Sequence, residues 1–253
     1  QSNDMKVIIS GGGTGGHIFP AISIANTLKK QHPHVEILFV GALGRMEMEK
    51  VPKAGYKIVG LPIAGIVRKL TLKNLLVPYK LYVSIKKARK ILEDFKPDVV
   101  VGVGGYASAP VLYQATKLGI PTLIQEQNSY AGLTNKLLGK KVDRVCVSYE
   151  GMEKYFPKEK IVMTGNPIRD EIVNNKYVRE DGIKHYNLNP NLKTILVVGG
   201  SLGARTMNLS VSNSLNMLNQ YNIQIIWHTG KAYFKTATME SLGYKHVRVC
   251  EFM

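Results

Sequence analysis

The segment KVIISGGGTGGHIFPAISIANTLKK, Lys6–Lys30, runs in succession through a strand, a glycine loop and a helix. Lys6–Ser10 is apolar and β-branched, and the helix is predicted from about Ile18 to Lys30. The same order recurs along the chain. Val35–Val40, Val99–Val103, Thr122–Gln125 and Arg144–Val147 read as further strands, with helical stretches between them. Apolar strands without alternation imply burial on both faces, as in a parallel sheet covered by helices. A second start appears at Lys193–Val198, again followed by glycines, with Ile223–His228 as its next strand and HVRVCEF after it. The turn-forming Thr164-Gly165-Asn166-Pro167 between the two series is the expected boundary. The domains expected are residues 1–165 and 166–253, the second incomplete, with Gln1–Asp4 set aside as outside the fold.

Composition narrows the classes. Apolar residues make up 45 % and charged residues 21 % of 253, which excludes a disordered chain. No apolar run is long enough for a membrane-spanning helix. Two cysteines make no disulfide framework and fit no structural zinc pattern, and no secretory leader is evident, so a cytoplasmic location is expected. The net charge of +16 calls for an acidic partner. Half of that excess lies in Ile66–Lys90, which holds eight basic residues and no acid. There Leu72, Leu75, Leu76, Tyr79 and Tyr82 alternate with Lys73, Lys80 and Lys86, a mixture suited to docking on an anionic membrane surface. Leu81, Ile85, Ala88 and Leu92 form the opposite stripe, expected to face the core. Nucleic acid is not expected as a partner, because aromatic and basic residues follow no recognition motif.

Three glycine loops follow strands: Gly11–His17, Gly102–Ser108 and Gly199–Arg205. Glycine lets the backbone approach an anion, and a helix N-terminus offers free N–H groups to it. The first loop contains G-x-G-x-x-G, but no acid closes the second strand to hold a nicotinamide ribose, and Glu47 is a weak substitute. An NAD-dependent oxidoreductase is therefore disfavoured.

The stretches GGGTGGHIFPAISIANTL, VGVGGYASAPVL, PTLIQEQNSYAGLTNKLL, TGNPIR and GGSLGARTMN together resemble the MurG-type glycosyltransferases of peptidoglycan synthesis. The resemblance runs from Lys6 to the end, and its fold implication is α/β, two facing Rossmann-like domains of the GT-B arrangement. It implies inverting transfer of N-acetylglucosamine from UDP-N-acetylglucosamine to lipid I, at the inner face of the cytoplasmic membrane. Thr14, Gly15 and Gly16 map to the diphosphate-binding loop, with His17 or Glu126 as the base. Asn128, Arg169 and Ser201 map to donor contacts, and Tyr106 to the acceptor side. Glu126 could instead cap a helix near Ser129, His17 could only bind phosphate, and Arg169 could pair with Asp170 or Glu171. Asn135 and Lys136 read as helix surface, and Trp227 and His228 as core. No Asp-x-Asp motif is present, so neither a metal nor another cofactor is expected. The family's later ribose- and sugar-binding segments do not occur before Met253. A diacylglycerol glycosyltransferase and a non-catalytic membrane-docking subunit of a split transferase remain the alternatives.

Overall fold

A computed structural model describes residues 4–63, 77–200 and 203–252. The chain divides into two compact units, Gln1–Asn174 and Asn175–Met253. The Thr164–Pro167 turn therefore lies inside the first of them.

The first unit begins with β1 (Lys6–Ser10), α1 (Gly15–Gln31), β2 (Glu36–Ala42), α2 (Glu47–Lys53) and β3 (Lys57–Leu61). It continues through α3 (Val77–Phe95), β4 (Val99–Gly102), α4 (Ser108–Lys117), β5 (Thr122–Glu126), α5 (Leu133–Gly139), β6 (Arg144–Val147), β7 (Ile161–Met163) and α6 (Asp170–Val173). Its sheet has seven strands in the order β3-β2-β1-β4-β5-β6-β7, each pair parallel. That is the Rossmann-like order, in which the strand sequence reverses between β1 and β4.

Burial on both faces follows directly from the strand composition. In β1, Val7 and Ile9 pack with Ile18, Ala21 and Ala25 of α1 and Phe39 of β2. Ile8 points the other way, to a core holding Ala88 and Leu92 of α3 and Leu112 of α4. One strand thus seeds two cores, which its unbroken apolar run requires. On α3 the buried stripe is Ser84, Ala88 and Leu92. Leu81, expected in that stripe, is 39 % exposed, because at the start of the helix it borders a cleft rather than the sheet.

The second unit contains α7 (Arg179–His185), β8 (Lys193–Val198), α8 (Arg205–Gln220), β9 (Ile223–His228), α9 (Lys231–Glu240) and β10 (Val247–Cys250). Its parallel sheet is ordered β10-β9-β8. Val211, Leu215, Ile225, Trp227 and Ala237 form the core. Trp227 is fully buried and donates from Nε1 to Asn208 Oδ1 at 2.9 Å. The apolar run of β8 does not bring burial on both faces: Ile195, Leu196 and Val198 are exposed.

Candidate functional site

The site grows from the reversal between β1 and β4. Strand ends diverge there, and the loops leaving them can reach the same space. They touch main chain to main chain: Gly12 N–H donates to Gly104 O at 3.3 Å, and Val103 N–H to Ser10 O at 2.9 Å. Only glycine permits this approach. A Cβ on Gly105 (φ +80°) would fall on Gly12 O, and one on Gly12 (φ +149°) would fall inside the Glu47 carboxylate.

Glu47, considered above for a ribose, is buried beneath the first loop. Its Oε2 accepts from Gly13 N–H at 3.0 Å and its Oε1 from Ala42 N–H at 3.0 Å. It braces the loop rather than facing a ligand. Helix α1 then starts at Gly15, earlier than its apolar pattern suggests, with Thr14 extended and making no side-chain cap. The first N–H groups of a helix have no partner within it, so those of Gly15 and Gly16 are left without an intrahelical acceptor.

Around these loops lies a cleft of about 580 Å³, bordered by His17, Tyr106, Glu126, Asn128 and Asn135 at its polar end. Its apolar end is formed by Val77 and Leu81 of α3 and Leu133 and Leu137 of α5. His17 is half-buried, with Nδ1 3.2 Å from Gln127 Oε1. The Tyr106 ring has the Arg45 guanidinium 5.9 Å away, and its hydroxyl has no hydrogen-bond partner among the described residues.

Glu126 is 1 % exposed and fully engaged. Oε1 accepts from the backbone and side-chain N–H groups of Asn128 at 3.1 and 3.2 Å. Oε2 accepts from Gly132 N–H at 3.0 Å and Asn135 Nδ2 at 2.9 Å. Four donors on one carboxylate fasten the segment from Asn128 to the start of α5. Asn135, expected at the surface, is 2 % exposed, and its Oδ1 has no hydrogen-bond partner among the described residues. The sequence does not signal its burial, because α5 has only seven residues and no amphipathic pattern. Lys136, also expected at the surface, is half-buried, with its ammonium 4.0 and 4.5 Å from the rings of Tyr130 and Tyr155.

Arg169 is exposed, with its guanidinium 5.0 Å from the Phe19 ring. It makes no ion pair with its neighbours: Asp170 pairs with Lys30 at 3.4 Å. The Arg169 donors therefore stay available close to α1. On α3, Tyr79 and Tyr82 are 67 % and 55 % exposed, and Lys86 lies 4.7 Å from the Tyr82 ring. Lys80 is half-buried. Ser201, Leu72, Lys73, Leu75 and Leu76 lie outside the described residues. Among the described residues no helix is long and apolar enough to cross a membrane. None of their His, Cys, Asp and Glu side chains form a group of three that could hold a metal ion.

Two polar groups missed in the sequence back the residues of the polar end. Gln127, inside the QEQN stretch, contacts His17 as above. Asn166, inside TGNPIR, donates from Nδ2 to Gln127 O at 3.2 Å and accepts from Ser148 Oγ at 2.7 Å. Both stretches were quoted as motifs, which was the available signal, but a polar residue that serves another polar residue has no periodicity to betray it.

Comparison with known proteins now bears on these observations. The model for the glycosyltransferase family 28 N-terminal domain matches residues 7–147. A protein of Phocaeicola vulgatus named UDP-N-acetylglucosamine--N-acetylmuramyl-(pentapeptide) pyrophosphoryl-undecaprenol N-acetylglucosamine transferase is 59 % identical over 237 residues, covering 94 % of this chain and 63 % of that protein. The protein of the same name from Cytophaga hutchinsonii is 54 % identical over all 253 residues, 68 % of its own length. The chain thus spans about two thirds or less of these relatives. Among solved structures, Acinetobacter baumannii MurG superposes with a TM-score of 0.71 at 26 % identity, over 98 % of this chain and 68 % of that one. A UDP-GlcNAc 2-epimerase from Neisseria meningitidis, at 19 % identity and TM-score 0.65 over 98 % of this chain and 72 % of that one, shares the fold.

Proposed function

The chain belongs to glycosyltransferase family 28, and from that premise we propose that it serves transfer of N-acetylglucosamine from UDP-N-acetylglucosamine to the 4-hydroxyl of lipid I, with inversion, in peptidoglycan synthesis. The observation that carries the reading is the meeting of two bare glycine loops beside an imidazole, at the reversal point of a parallel sheet. Main-chain N–H groups of Gly15 and Gly16, with Thr14, hold a diphosphate there. His17 takes the proton from the acceptor hydroxyl as its oxygen attacks C1 of the sugar. The C1–O bond to UDP breaks, and its electron pair leaves on the diphosphate. Arg169 meets the negative charge that builds on that leaving group. Asn128 and Ser201 contact the donor, and Tyr106 walls the acceptor side. Glu126 cannot serve as base without giving up donors that hold its own loop, so its part is to position Asn128.

The relatives' names specify an undecaprenol-linked acceptor, and the exposed face of α3 suits an anionic bilayer. Tyr79, Tyr82, Lys80 and Lys86, continued in sequence by Leu72, Lys73, Leu75 and Leu76, form the docking segment. Each basic side chain near such a surface contributes about 1 kcal/mol. The protein then works as a peripheral enzyme on the cytoplasmic face of the cell membrane, where its product feeds cell-wall growth and so cell shape and division.

The test is transfer of labelled sugar to a lipid I analogue by the intact protein. His17→Ala should lower kcat by at least ~100-fold with binding of UDP-N-acetylglucosamine retained; a near-normal rate removes His17 from the base role.

A further inference from the structure

His17 is held by a side chain to which no role has been given so far. We propose that Gln127 is a positioning residue that fixes the His17 imidazole as its Nδ1–H tautomer, leaving the Nε2 lone pair as the base. This rests on the reading of His17 given above.

The assignment follows from what surrounds the Gln127 amide, which is only 8 % exposed. Its Nε2 lies 2.9 Å from Val103 O and 3.3 Å from Gln125 O, and it also contacts Gln125 Oε1. Carbonyl oxygens only accept, so this end of the amide must be the NH₂ group and the opposite end the oxygen. That oxygen faces His17 Nδ1 at 3.2 Å. An amide oxygen offers no proton, so Nδ1 must carry one, and in a neutral imidazole the lone pair then sits on Nε2. Flipping the amide would set NH₂ against the imidazole and oxygen against two carbonyls.

The neighbours lock this orientation in place. Gln125 Nε2 donates to Ser148 Oγ at 3.3 Å and Asn166 Oδ1 at 3.4 Å, so the Gln125 oxygen is turned toward Gln127. The Gln127 backbone carbonyl is held by Asn166 Nδ2 at 3.2 Å. Against the same Nδ1–Cε1 edge of the ring, a Cβ on Gly104 would lie 2.9 Å from His17 Cε1 and 3.0 Å from Nδ1. The Nδ1 edge of the imidazole is thus met by a glycine and an oriented amide, and the network reaches from the GGTGGH loop to the TGNPIR turn. After proton uptake the cation keeps the same Nδ1–H bond, so the ring need not turn between its two states.

The experiment is nitrogen-15 NMR of the intact protein labelled at histidine, with kinetics on the same variants. At a pH where His17 is neutral, the wild type should show Nδ1 as the protonated, pyrrole-type nitrogen and Nε2 as the pyridine-type one. The reverse assignment overturns the proposal by itself, whatever the variants do. Gln127→Met keeps the bulk but offers no acceptor. It should move the population toward Nε2–H and lower kcat about two- to tenfold, the worth of one neutral hydrogen bond, with KM for UDP-N-acetylglucosamine unchanged. An unchanged tautomer in folded Gln127→Met defeats the idea. Full turnover by His17→Ala would instead sink the base assignment while leaving the tautomer as found, so the two failures are distinguishable.

Discussion

Replacing Glu47 by Gln probes the support under the glycine loop with almost no change in volume. The carboxylate is 1 % exposed and has no ion-pair partner among the described residues. Each oxygen accepts one backbone N–H, from Gly13 and from Ala42, both at 3.0 Å. An amide has a single oxygen, so one of the two N–H groups must face an NH₂ group and lose its acceptor. A hydrogen bond to a charged acceptor contributes about 1.5–3 kcal/mol, and the surviving bond weakens on losing the charge. Relief of the buried charge offsets part of this, leaving a net loss of about 2 kcal/mol. In a unit of this size about 1 kcal/mol moves the melting temperature by 2–4 °C, so the transition of the first unit should fall by about 4–8 °C. Amide exchange at Gly13 and Ala42 should quicken with it. Glu49→Gln is the control: Glu49 is exposed and paired with Lys53 at 2.6 Å one turn along the same helix, and its loss should scarcely shift melting. A Glu47→Gln protein that melts within about 1 °C of the wild type, or no lower than the control, would refute the bracing role.

Three further outcomes are expected. Gly104→Ala combines φ +94° with a Cβ 2.9 Å from His17 Cε1, and displacing that ring should cut kcat about 100-fold while UDP binding persists; steady-state kinetics beside calorimetry will separate the two. Gly203→Ala would put a Cβ 2.1 Å from Thr229 O at φ +81°, so the second unit should lose at least about 2 kcal/mol in urea unfolding; an unshifted midpoint would contradict the geometry. Burial raises the Cys146 thiol above its ordinary range, with a hydrogen bond to Thr164 opposing it. Its thiolate is therefore scarcer at neutral pH than that of a free cysteine, and alkylation should be slow at pH 7.5 and quicken only as pH rises; labelling as fast as free cysteine would contradict this.

What could be read without coordinates follows the physics of burial. Strands β1, β2, β4, β5 and β6 are legible because both their faces meet helices, which forces continuous apolar runs. The outer strands β3 and β7 were not. β3 carries Lys57 and Gly60, and β7 has only three residues with Val162 and Met163 exposed. These two edge strands owe less to the core and write less of it into their residues, whereas β8, also at an edge, keeps an apolar run and was legible. At the site, the residues that would meet a ligand stand in glycine-marked motifs that can be recognised. Glu47, Gln127, Asn135 and Asn166 answer to other polar groups of the same molecule, and such pairings are settled only when distant segments are brought together. Leu81 shows the converse: its spacing matches the helix interior, yet the stripe turns outward where the cleft opens.

Gly104 and Gly105 line the cleft with bare peptide units. Such a surface has no rotamers to freeze when something settles on it, so occupancy carries little of the ordering cost that mobile lysines would impose. It also has no side chains through which drifting sequence could retune its shape. Under the proposed function, a preference among sugars or lipids would therefore be written into the flanking walls, while the floor stays indifferent to everything except charge and fit.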